Sequence, residues 1–226
     1  ELLWEARDDL GLSDEQARVL YLTRRGFVRA GAALQGADRD RLSAIKERLA
    51  VLGTGFTQNL LADERDWSMP LSKGDLADLP EFVQDAARAA GEEKGSDGPV
   101  VTLSRSIIVP VLQFLPNRAL RQRAYEAWTA RGANGGTTDN RAIAAEILAL
   151  RAERATLLGY DSFADFKLET EMAGTPDAVR DLLMQVWAPA KASAEADSAA
   201  LQDLLVTDGQ AGPLEPWDWR YYSQKR

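Results

Sequence analysis

Leu42, Ile45, Leu49, Leu52, Phe56 and Leu60 recur at spacings of three or four residues. At 3.6 residues per turn this pattern gathers them into one stripe and predicts a long amphipathic helix. Such a stripe must be covered, which commits the rest of the chain largely to helices packed against it. Asp38 or Asp40 is placed to cap its start. Upstream, Ser13 with Gln16 matches a capping box. That signal predicts a helix over roughly 14–34, with Gly36 as its stop. Val19, Leu20, Leu22, Phe27, Val28 and Ala32 supply its expected buried side.

Pro70 and Gly74 interrupt the helical pattern, and Pro80 suits the first turn of a short helix through Ala90, with Gly91 past its end. The β-branched run "VVTLSRSIIVPV" reads as one or two short strands, the second limited by Pro110. Asn117 and Asn140 are expected caps of two further helices, and Gly159 closes the second. Ser162 starts a short helix. Thr175-Pro176 opens a long one, in which Pro189 should kink or divide the axis. The expected fold is mainly α: a helical bundle or array with one short β-hairpin-like element. Residues 1–115 are read as an N-terminal helical region carrying that element, and 116–226 as the beginning of a second helical domain.

The residue inventory excludes much chemistry. The 226 residues include neither cysteine nor histidine. Disulfides, thiolate metal sites, Ser-His and Cys-His nucleophile pairs and imidazole zinc sites are all ruled out for this chain. Proton transfer is left to Asp, Glu, Lys and Tyr. A net charge of −8 argues against a nucleic-acid partner. No apolar run is long enough to span a membrane. The start without Met and the end on Lys225-Arg226 are expected to be cuts within a longer, cytoplasmic chain.

The remaining candidates are acidic pairs and one aromatic cluster. Asp63/Glu64, Glu92/Glu93 and Glu169/Glu171 are expected on solvated faces rather than in acid–base pairs. Glu146 and Glu153 flank Arg151, where helix-surface ion pairs are the plain explanation. "PWDWRYY" places Trp217, Trp219, Tyr221 and Tyr222 within six residues. They read as core anchors of a final helix, with Pro216 and Asp218 at its start and Asp218 as the expected cap. The loop "GANGGTTDN" lacks the spacing of a phosphate loop. By residues alone no catalytic, cofactor-binding or metal-binding residue is assigned.

"NRALRQRAYEAWTARG", "DNRAIAAEILALRAERATLLGYDSFADFKLETEMAGTPDAV" and "PWDWRYYSQKR" resemble successive stretches of the M3 family of zinc metallopeptidases. "RGFVRAGAALQGADRDRLSAIKERLAVLGTGFTQNLLADE" resembles that family's N-terminal helices. "PWDWRYY" and "LRAERATLLGY" are nearest to its bacterial peptidyl-dipeptidase branch, within the thimet oligopeptidase and oligopeptidase A type. The resemblance implies the N-terminal part of a neurolysin-like zincin, a two-lobed helical enzyme that cleaves short peptides in a deep channel. It also implies a zinc held by an H-E-x-x-H helix and a downstream Glu, beyond the "PWDW" segment. This sequence has no such motif, so no catalytic or metal residue carries over. The fragment is expected to be inactive, to lack zinc, and to need a missing C-terminal catalytic half. Its cut face is expected to favour self-association. The alternative reading is a non-enzymatic helical binding or scaffold module derived from a peptidase lobe.

Overall fold

The computed structural model describes residues 1–226. In chain order the elements are α1 (Leu2–Glu5), α2 (Asp14–Arg29), α3 (Gly36–Asp66), β1 (Met69–Pro70), α4 (Lys73–Ala77), α5 (Glu81–Glu93), β2 (Val100–Val101), α6 (Arg105–Phe114), α7 (Arg118–Thr129), α8 (Arg141–Leu157), α9 (Phe163–Leu168), α10 (Pro176–Thr207) and α11 (Trp219–Lys225). The chain is therefore mainly α with one small sheet. It forms two compact units, Glu1–Thr54 with Ile143–Arg180, and Gly55–Ala142 with Asp181–Arg226.

In the first unit the capping box at α2 is present: Ser13 Oγ accepts from the Gln16 N–H and Gln16 Oε1 accepts from the Ser13 N–H. The helix stops before Gly31, five residues earlier than the expected stop; Gly36 instead opens α3. Gly31 has φ 100°, a backbone conformation that favours glycine, and a Cβ there would force the Leu42 side chain to move. The expected buried side of α2 does not form. Val19, Leu22 and Phe27 are exposed, and Leu20, Phe27 and Val28 line an open groove with Leu2 and Leu3.

The long stripe behaves as its spacing requires. Leu42, Ile45 and Leu52 are buried, and Ile45 and Leu52 pack with Leu150 of α8, flanked by Leu49, Ile143, Ile147 and Leu157. Two bidentate ion pairs cross the same helices: Arg41 with Glu153 at 2.6 and 2.7 Å, and Arg48 with Glu146 at 2.6 and 2.8 Å. The higher-numbered arginine meets the lower-numbered glutamate, so the two segments run antiparallel. Glu146 and Glu153 thus pair between helices rather than with Arg151, which sits over the Phe163 ring.

In the second unit β1 pairs antiparallel with β2, Met69 opposite Val101 and Pro70 opposite Val100. The strand partner lies within this chain, in a stretch whose proline had read as a break. Pro70 sits on a two-strand edge, where a missing N–H costs little. The second expected strand is instead the helix α6, with Pro110 inside it. The proline removes one helical hydrogen bond, at about 3 kcal/mol. Burial of Ile107, Ile108, Val111 and Leu112, each contributing about 1.5–3 kcal/mol, outweighs that loss. These residues join Met69, Val83, Ala87, Val101, Leu103 and Leu115 in the main core. Gly91 lies within α5 rather than past it; a Cβ there would overlap the Gly98 carbonyl.

Three helix starts follow local chemistry. Asn117 accepts from the Leu120 N–H, Ser162 from the Asp165 N–H and Thr175 from the Ala178 N–H. Asn140 departs from this pattern. Its side chain is buried and spans back to α3, donating to the Phe56 carbonyl and accepting from Asn59, both at 2.9 Å. The N–H of Arg141 bonds Asp139 instead. Pro189 lies inside α10, which runs unbroken to Thr207.

Candidate functional site

The "PWDW" segment and α7 form the most polar buried cluster. Arg118 and Arg121 lie three residues apart on α7, so they project from one side of it. Arg121 shares its face with Ala124 and is buried as deeply. Its guanidinium donates to Asp218 at 2.8 Å, to the carbonyls of Leu115 and Pro116 at 2.8 and 2.9 Å, and to that of Trp217 at 3.3 Å. It also lies 4.0 Å from the Tyr221 ring centroid. Arg118 donates to Asp218 at 2.6 Å and to the carbonyls of Ala211 and Pro213.

Asp218 precedes α11 but makes no side-chain cap bond to it. Its fully buried carboxylate instead takes both arginines and the Glu215 N–H. The expected capping role is thus replaced by an ionic clamp. Burial alone would raise this carboxyl; the hydrogen bonds from Arg118 and Arg121 and from the Glu215 amide outweigh burial and hold its pKa below the ordinary value. Tyr221 and Tyr222 are buried with Leu201 and Leu205, as core anchors should be. Trp217 is half-buried and Trp219 exposed.

Asp63 and Glu64 are not a solvated pair. Asp63 accepts from the Gly132 N–H at 2.7 Å, from Asn134 at 3.1 Å and from Thr138, while Glu64 pairs with Arg131. Together they tie the 131–139 loop to α3. Burial again pushes the Asp63 carboxyl up, and these donors reverse the shift. Glu169 accepts from Arg29 and from the Tyr160 hydroxyl at 2.6 Å, and its pKa is likewise lowered despite burial. Glu171 pairs with Lys167, and Glu92 and Glu93 are exposed.

These arrangements decide what the carboxylates can do. A catalytic acid must stay protonated near neutral pH, through a raised pKa. Asp63, Glu169 and Asp218 are shifted the other way and already spend their lone pairs on fixed donors. As placed, each ties one segment of the chain to another. Nowhere do three or more potential ligands gather as a metal site needs. A cleft of about 400 Å³ is lined by Asp63, Asp66, Trp67, Leu103 and Arg131, with Asp66 paired to Arg65 at 2.7 Å.

The arginines of the clamp went unread in the sequence, although a signal was there. Arg121 occupies the buried face defined by Leu120, Ala124 and Tyr125, where a cation requires a buried partner.

The region that carries this clamp, residues 111–226, matches the model of peptidase family M3. The chain belongs to peptidase family M3. Over 220 residues it is 33% identical to the oligopeptidase A of Salmonella typhimurium, covering 95% of this chain and 32% of that protein. It is 31% identical over 229 residues to the dipeptidyl carboxypeptidase of Escherichia coli, covering 100% of this chain and 33% of that protein. The probable cytosolic oligopeptidase A of Arabidopsis thaliana is 31% identical over 231 residues. This M3 chain spans about a third of the length of these relatives. None of its helices is long and apolar enough to cross a membrane.

Proposed function

We propose that this chain is a non-catalytic part of a zinc-dependent oligopeptidase or peptidyl-dipeptidase that hydrolyses short peptides in the cytoplasm. The observation that carries the reading is likeness to oligopeptidase A and dipeptidyl carboxypeptidase along nearly the whole chain, in a sequence with no histidine. Residues 1–115 are the N-terminal helical region. Residues 116–226 begin the peptidase helical domain, in keeping with the family match over 111–226.

The donors present here do not fit a catalytic zinc. Histidine and cysteine are absent, and the buried or half-buried carboxylates are held by arginines, amides and hydroxyls. Zinc, its activated water and the general base therefore belong to a part of the enzyme outside these residues. What this chain contributes is scaffold: helices that wall the peptide channel, with the clamp holding the "PWDW" segment in place.

The test is to read the coding sequence past Arg226. An H-E-x-x-H motif followed by a Glu-bearing helix is expected. A stop codon shortly after Arg226 contradicts the peptidase reading and leaves a helical binding or scaffold module.

A further inference from the structure

The second half of α8 carries Arg151 and Arg154, three residues apart and so on one side of the helix. Phe163 and Phe166 at α9 have the same spacing, with ring centroids 5.9 Å apart. The two pairs meet in step. The Arg151 guanidinium lies 5.1 Å from the Phe163 centroid, and that of Arg154 lies 4.9 Å from the Phe166 centroid. Arg29 of α2 approaches the same Phe166 ring at 4.2 Å. Arg25, one turn earlier on α2, sits over the Tyr21 ring and is close enough for its charge to act on Glu169. All of these residues belong to the first compact unit.

Four arginines thus gather in a chain whose net charge is −8. Glu169 offsets one of them by pairing with Arg29. The nearby acids are engaged elsewhere: Glu153 with Arg41, Asp165 with Ser162 and Glu171 with Lys167, while Asp161 is exposed. Arg25, Arg151 and Arg154 make no ion pair. Arg154 is the sharpest case. It is half-buried, and its Nε is closed off from solvent without an acceptor in the protein. Burial, and then the charge of Arg29, push its pKa down. Arginine keeps its proton under such pressure, so the charge persists and favours an anion. The Phe166 ring attracts the cation but does not neutralise it.

We propose that Arg154, with Arg25, Arg29 and Arg151 around it, forms a binding site for a phosphate-type oxyanion, free or carried by a small metabolite. A dianion matches a cluster with more than one uncompensated positive charge, which chloride or a single carboxylate does not. Guanidinium forks offer the paired donors that oxyanions accept. The Nε of Arg154 faces protein, so its open Nη edge makes the contact. Stacking on Phe163 and Phe166 holds the arginines in place before the ligand arrives, which cuts the cost of ordering them.

The test titrates inorganic phosphate into the chain by isothermal calorimetry, replacing chloride at constant ionic strength. Saturable binding of one phosphate per chain is expected. Arg154→Gln should weaken it at least about tenfold, the loss of one charged contact. Arg25→Gln, at a residue with no hydrogen bond to lose, should weaken it as well. Arg41→Gln, whose arginine is already paired with Glu153, should leave it unchanged. Thermal melts establish that each variant is folded. Glycerol 3-phosphate separates the two sources: affinity equal to that of phosphate identifies the free ion, and tighter binding identifies a phosphorylated metabolite. No saturable binding at tens of millimolar phosphate overturns the proposal. So does binding that neither Arg154→Gln nor Arg25→Gln weakens, which marks an adventitious ion only. Phosphate bound by the 226-residue chain but not by the longer chain of its reading frame overturns it too, because a carboxylate of the protein itself then fills the site.

Discussion

Arg121 and Asp218, 97 residues apart in sequence, meet at 2.8 Å with both side chains closed off from solvent. This pair joins α7 to the entrance of α11, and Arg118 reinforces it from the rim. A buried pair is not inherently more stabilising than a well-packed apolar one, but removing one partner strands the other charge. Asp218→Ala should therefore lower unfolding stability by about 3–5 kcal/mol. Arg118→Ala, at the more exposed position, should cost less. Urea denaturation of both variants checks the order; equal, small losses would show that the clamp carries little.

The same carboxylate makes stability depend on pH. The folded-state pKa of Asp218 is depressed, as are those of Asp63 and Glu169. The unfolded chain therefore takes up protons first as pH falls. The stabilisation is complete above the unfolded carboxylate pKa of about 4 and is lost as pH drops below it toward the folded values. Urea midpoints should be level from pH 7 to pH 5 and fall steeply below pH 4. Asp218→Asn should flatten the acid limb. An acid limb unchanged in that variant would remove Asp218 from the explanation.

Two helical glycines should respond in opposite directions. Gly26, in α2, has open space where a Cβ would go, so Gly26→Ala should stabilise by about 0.5–1 kcal/mol. Gly91 faces the backbone of Gly98 and Pro99, which cannot step aside as a side chain would. Gly91→Ala should destabilise by about 1–3 kcal/mol. Thermal melts of the two variants settle the signs.

What the sequence disclosed, and what it hid, divides by distance along the chain. The capping box at Ser13 and Gln16, the caps at Asn117 and Ser162, and the Leu42–Leu60 stripe are written within a few turns and were legible. The helix at 105–114 was not, because a β-branched run with a proline reads locally as strand and only burial of Ile107, Ile108, Val111 and Leu112 reverses that preference. Asn140 looked like a cap because its partners, Phe56 and Asn59, lie more than 80 residues upstream. Glu146 and Glu153 had an arginine nearby in sequence, yet each found one on α3. For the candidate site, the buried tyrosines of "PWDWRYY" were legible as anchors. The role of Asp218 depended on arginines a hundred residues away.

Leu182, Leu183 and Trp187 of α10 and the groove beside α2 leave apolar side chains in water. Self-association of the 226-residue chain should follow, visible as a light-scattering mass that rises with concentration. Leu183→Asp combined with Trp187→Ser should suppress it. A constant monomer mass across a wide concentration range would contradict this expectation.

The proposed function holds that these 226 residues carry scaffold of an M3 peptidase and none of its catalytic chemistry. The most direct measurement adds stoichiometric zinc to the purified chain, removes the excess, and then determines bound metal and turnover of a short quenched peptide with and without chelator. The account predicts no retained zinc and no chelator-sensitive turnover. One zinc retained per chain, together with chelator-sensitive cleavage of the peptide, would contradict it.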